Sequence, residues 1–146
     1  MTLAQLFEER YLLTARRSLK PKTVSEYERL ARVILLPRLG DLTIDGITMD
    51  TAEGFICSIP GPVQANRALA LLSAVLGYAV ERRLLPYNPC RGVRRNKEKP
   101  REFVYARQQT QKLLAAAEVS ADVRHKYIAV ELLTGCRPGE LLESAP

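Results

Sequence analysis

The residue in this sequence best placed to do chemistry is an arginine standing alone at a joint between two helical stretches. In TGCRPGELLE, residues 134–143, an apolar run stops at Gly135, Arg137 follows, and Pro138, Gly139 and Glu140 open a new helix. A guanidinium is planar, permanently charged, and presents a fork of donors that fits two oxygens of a carboxylate or a phosphate. At a helix start it also lies beside free backbone N–H groups. The plain alternative is an ion pair with a carboxylate. Glycine at 135 allows a turn with positive φ, and Pro138 pre-sets the first helical turn.

Three further groups have residue types suited to anions. The 146 residues carry 22 Lys/Arg against 16 Asp/Glu, a net charge of +6. Most of that excess sits in RGVRRNKEKPR, residues 91–101, with six basic residues against one acid. Arg91, Arg94, Arg95, Lys97, Lys99 and Arg101 suit phosphate backbones, anionic lipid or plain solvation. Lys20, Lys22, Thr23 and Ser25 sit at a predicted helix N-terminus, where the dipole and free N–H groups favour an anion. Thr23 and Ser25 could also reach base edges. Asn66 and Arg67 lie near the start of the longest predicted helix, on what reads as a solvent-facing side. Arg82 and Arg83 end that helix and complement its dipole.

Other chemistries find little support. Cys57, Cys90 and Cys136 are widely spaced and odd in number, with neither metal-ligand nor redox spacing. They suit a reducing, cytoplasmic compartment. No nucleophile–base pair, metal cluster or Gly-rich phosphate loop stands out. No metal, cofactor or small-molecule substrate is therefore expected. The opening MTLAQLFEERYLL has acids and an arginine early, unlike a signal peptide, and no apolar run approaches the ~20 residues of a membrane span.

The elements that must position these residues are helical. Thr2-x-x-Gln5 reads as a capping box for a helix over about 3–17. Thr23-x-x-Glu26 reads as a second, for a helix to about 36 that Pro37 and Gly40 end. Thr48 caps a short helix through about Cys57, and IPGP, 59–62, is a rigid connector. The longest helix starts near Pro62, presents Ala68, Leu69, Leu72, Val75, Leu76, Ala79 and Val80 on one face, and ends near Leu84. Residues 1–88 then form an orthogonal helical bundle, 89–101 a basic linker, and 102–146 a second unit with helices near 108–118 and 121–134. Tyr11, Tyr27, Tyr78 and Tyr127 read as packing residues, and Cys136 as a small buried one.

The order of these pieces carries a resemblance. KPKTVSEYERL (20–30), LPRLGDLTIDGIT (36–48) and ANRALALLSAVLGYAVERRLLPYNPC (65–90) resemble the N-terminal core-binding domain of tyrosine recombinases of the phage-integrase family. ELLTGCRPGELL (131–142) resembles the segment of their catalytic domain that holds the first catalytic arginine. The resemblance implies a mainly α fold, with a SAM-like bundle gripping one face of double-stranded DNA. It also implies DNA integration or recombination without metal or nucleotide, and self-association on DNA in the full-length protein. Arg137 would be the first catalytic arginine and Glu140 a residue supporting it. Asn66 and Arg67 would lie on the helix used against the duplex.

The departures are as informative. All six tyrosines, at 11, 27, 78, 87, 105 and 127, precede Arg137, and none stands in the family's nucleophile context. His125 precedes Arg137 as well, and ESAP at 143–146 departs from the usual continuation into a strand. The expectation is a truncated portion of a recombinase that binds DNA and is catalytically inactive alone. The alternatives are a stand-alone helical DNA-binding regulator or integrase remnant, and a helical protein-interaction module using the leucine-rich face of 62–84. Helices 108–118 and 121–134 are expected to expose apolar surface and to self-associate or be disordered.

Overall fold

The expected cap at the N-terminus forms. Thr2 Oγ1 accepts from the Gln5 N–H at 3.3 Å, and the Gln5 side chain accepts from the Thr2 N–H at 3.0 Å. In the computed structural model, which describes residues 1–99, 106–137 and 139, helix α1 (3–18) follows. It is built from an α-helical turn Leu3–Leu6, a wider π-helical stretch Phe7–Tyr11 and an α-helix Leu12–Ser18.

Helix α2 (21–39) has the same make-up: Pro21–Leu30, a π-helical stretch Ala31–Leu35, and Leu36–Leu39. It corrects two expectations. Thr23 is not its cap. Pro21, with φ already near helical values, starts the helix three residues earlier, and Lys20 is the capping residue. The Thr23 N–H instead donates to the Lys20 carbonyl at 2.9 Å. Nor does Pro37 end the helix. The π-helical stretch just before it shifts the pairing, so that the Leu36 N–H donates to the Ala31 carbonyl. The Arg38 guanidinium then donates to the Ile34 carbonyl at 3.1 Å. The chain turns away only at Gly40, where a Cβ would sit 2.5 Å from the Leu36 carbonyl oxygen. Ala4 N–H to Gly40 O, Leu3 N–H to Leu42 O and a lone bridge between Thr2 and Thr43 tie this exit to the start of α1. Among the described residues there is no strand.

A 3-10 turn, Ile44–Gly46, leads to α3, Met49–Cys57, capped by Thr48 Oγ1 on the Thr51 N–H at 3.2 Å. Gly61, at φ +91°, makes the bend before α4, Pro62–Glu81. Helix α4 is the centre of the core. Leu71, Leu72, Val75 and Leu76 are fully buried and pack with Leu3 and Leu6 of α1, Leu35 of α2 and Phe55 of α3. Each such side chain contributes about 1.5–3 kcal/mol over being left exposed. The leucine-rich face of 62–84 is thus interior and not a docking surface. By length and composition alone α4 could cross a membrane, but half of its apolar window is buried inside the bundle.

The first compact unit runs to Lys99, eleven residues past the boundary the sequence suggests. The reason lies in the packing of 88–93. Asn88 caps a 3-10 turn, Pro89–Gly92, by accepting from the Cys90 N–H at 3.0 Å. Asn88, Cys90 and Val93 are all buried.

The second unit, 100–146, contains α5, Arg107–Val119, and α6, Val123–Thr134. Asp122 caps α6 on the Arg124 N–H at 2.9 Å, and Gly135 ends it at φ +70°, as a positive-φ terminator should. Ala117 is the one buried hydrophobic among the unit's described residues. Val119, Val123, Ile128 and Leu133 are exposed, in line with the expected apolar surface. Cys136, expected to be buried, is exposed.

Candidate nucleic-acid interface

Five of the residues singled out for anion binding come together. Lys20, Lys22, Thr23 and Ser25 from the start of α2, and Arg67 from the start of α4, line one surface groove of about 730 Å³. Its floor includes Tyr27, Leu30 and Ala70. Helix α2 brings its share through helical spacing: positions 22, 25, 26 and 29 recur three and four apart and so lie on one stripe. Lys20, Lys22, Ser25 and Arg67 are exposed, and Thr23 is half-buried.

The stripe adds two residues that sequence reasoning misses, Glu26 and Arg29. Arg29 donates to both carboxylate oxygens of Glu26, Nε to Oε2 at 3.0 Å and Nη2 to Oε1 at 2.8 Å. That hydrogen bonding holds the Glu26 carboxyl below its ordinary range. Slight burial opposes the shift, and the charges of Arg29 and Arg67 assist it. Arg67 on α4 thus acts electrostatically on a carboxylate of α2. Extending the i, i+3, i+4 pattern onward from Lys22 would have found Arg29 in the sequence.

The backbone at the start of α2 contributes less than a bare helix end would. Pro21 has no N–H, and the Thr23 and Val24 N–H groups both donate to the Lys20 carbonyl. Side chains therefore supply most of the positive character of the groove. Lysine and arginine heads on long stems let such a surface meet an anion while their stems cover apolar area.

The remaining candidates divide. Arg91 lies in the Pro89–Gly92 turn and is exposed, as are Arg94, Arg95, Lys97 and Lys99 beyond it. Asn66, placed by the sequence on a solvent-facing side, is 7% exposed and turned toward the tail at Asn96 and Glu98. It cannot reach a ligand without leaving those partners. Arg82 lies over the ring of Tyr78, 5.2 Å from its centroid, so it covers an aromatic face as well as the end of α4. Tyr78 in turn meets Tyr11 edge-on at 5.8 Å, and Tyr11 stacks on Phe7 at 6.0 Å, which makes these tyrosines packing residues. Arg137 is exposed in the second unit, three residues past the end of α6. Glu140 and Arg101 lie outside the described residues. No group of His, Cys, Asp or Glu among the described residues could hold a metal ion. No family model, curated protein or solved structure matches the chain.

Proposed function

We propose that this chain binds the sugar–phosphate backbone of double-stranded DNA through the α2–α4 groove and the basic tail at 91–99. It would act as the DNA-gripping part of a tyrosine-recombinase-like protein, with a SAM-like core-binding bundle. The observation that carries the reading is the convergence of Lys20, Lys22, Thr23, Ser25 and Arg67, from two helices, in one groove. Six basic residues in 91–101 extend that positive surface in the sequence. Both features suit a polyanion, and neither suits a small neutral ligand. The recombinase part of the reading rests on the resemblance of segments 20–30, 36–48, 65–90 and 131–142. All six tyrosines precede Arg137, so the activity proposed for these 146 residues is binding without strand cleavage. Binding of this kind goes to phosphates and gives modest sequence selectivity.

Charge reversal tests the reading. Lys22→Glu with Arg67→Glu weakens binding to a labelled duplex by roughly tenfold or more, about 1.4 kcal/mol or above. Arg137→Ala leaves affinity within about twofold, because its proposed role lies in bond breaking and not in grip. An equal large loss from both changes would make Arg137 a binding residue. No loss from the groove pair would remove the groove from the DNA-binding surface.

A further inference from the structure

The basic tail is not a free strand. Asn88, at its base, donates through Nδ2 to the Ser73 carbonyl at 2.9 Å and to Ser73 Oγ at 3.2 Å. Farther on, Asn66 Oδ1 accepts from the Asn96 N–H at 2.8 Å, and Asn66 Nδ2 donates to the Asn96 carbonyl at 2.8 Å. The same Nδ2 donates to Glu98 Oε1 at 2.7 Å. An asparagine amide has two N–H donors and one carbonyl, and all of this one faces the tail. It offers Asn96 what a neighbouring strand would, a donor and an acceptor for one residue's backbone pair.

The two anchors lie on one helix. Ser73 and Asn66 are both in α4, seven residues apart, or roughly 10 Å along the axis. Between their partners the tail buries Cys90 and Val93. Residues 88–98 therefore retrace α4 back toward its first turns, where Arg67 lines the groove. Asn96 and Glu98, two apart, both meet Asn66, and Arg95, Lys97 and Lys99 are exposed, as Glu98 also is. Extended chain repeats a side-chain direction every roughly 6.6 Å. That is close to the separation of successive phosphates along one nucleic-acid strand.

We infer that Asn66 is a positioning residue, pinning the tail so that Arg95, Lys97 and Lys99 address successive phosphates of one strand beside the groove. The inference rests on the DNA-binding reading and adds a specific cause for affinity. A pinned row of cations loses less conformational freedom on binding than a free one.

The experiment compares the full chain with Asn66→Ala, using anisotropy of a labelled duplex over a series of salt concentrations. Backbone amide exchange is followed alongside. In the parent chain the Asn96 amide is protected. In Asn66→Ala it exchanges freely, amides of 71–76 keep their protection, and affinity falls roughly tenfold. The log–log salt slope flattens by as much as about 0.9 for each phosphate that the tail no longer neutralises. A purely structural role would lower protection across α4 and leave the slope alone. Asn96→Pro, which deletes the donor on the tail and leaves α4 untouched, gives the same loss of affinity and flattening of the slope by a second route if Asn66→Ala does not fold. Release of the Asn96 amide with unchanged affinity and slope overturns the positioning role while leaving DNA binding intact. A parent chain with a protected Asn96 amide and no affinity for duplex overturns the DNA-binding reading itself.

Discussion

At the scale of single residues, two side chains hold positions that carry measurable consequences. Arg83 adopts φ +58°, where glycine is the usual occupant. It closes α4 in a Schellman arrangement, with the Leu84 N–H on the Ala79 carbonyl at 2.8 Å and the Arg83 N–H on the Val80 carbonyl at 2.9 Å. The left-handed conformation costs a side chain roughly 1–2 kcal/mol, and glycine gives back part of that through the unfolded chain. Arg83→Gly should therefore raise stability by about 0.5–1 kcal/mol, read as a higher urea midpoint at constant slope. A lower midpoint would mean the Arg83 side chain contributes more than its backbone costs. Tyr11 supplies a pH test. Burial, aided by the charge of Tyr27, pushes its phenol up to about 12 from 10.0. Its folded pKa lies above its unfolded one, so its contribution is complete below pH 10 and is lost as pH rises toward 12. A phenolate absorbance titration should show Tyr11 ionising only toward pH 12, with stability declining over the same interval. Full ionisation of every tyrosine by about pH 11 in folded protein would remove that cause of alkaline instability.

At the scale of elements, the sequence announces some boundaries and conceals others. Thr48 and Pro62 mark where α3 and α4 begin because each signal is local: a hydroxyl for an N–H, a fixed φ for a first turn. The start of α2 misleads because Thr23 and Glu26 have capping-box spacing, yet Pro21 already commits the chain to helix. Passage through Pro37 is not legible, since a π-helical stretch leaves no mark in hydrophobic periodicity. Periodicity does identify the face of α4 that makes the core, and this can be checked by truncation. Leu72 is fully buried among side chains of α1 to α3. Leu72→Ala should cost about 2–5 kcal/mol through reduced burial and a cavity. A loss below about 1 kcal/mol in denaturant unfolding would show that the interior collapses around the gap.

At the scale of the whole molecule, charge is the most readable feature and its anchoring the least. Lysines and arginines can be counted in a sequence, so the groove residues Lys20, Lys22 and Arg67 and the tail at 91–99 are legible before any fold. Arg29 is legible only by following the helical stripe onward from Lys22, and Glu26 not at all, because an i, i+3 ion pair reads as ordinary surface until the groove is assembled. Asn66 reads as solvent-facing, and wrongly so, since helix phase is ambiguous so near an N-terminus. Asn88 and Asn96 are hidden as tail anchors because their partners lie 15 and 30 residues away in sequence, and the first unit therefore extends to 99 and not 88. Under the DNA-binding proposal, the groove cations and the tail together would neutralise about four to six phosphates. The most direct measurement is the affinity of the full chain for a labelled duplex as salt is varied. The DNA-binding reading predicts tight binding in dilute buffer and a log–log slope between about −3 and −6. No binding at low salt, or a slope near zero, would contradict it.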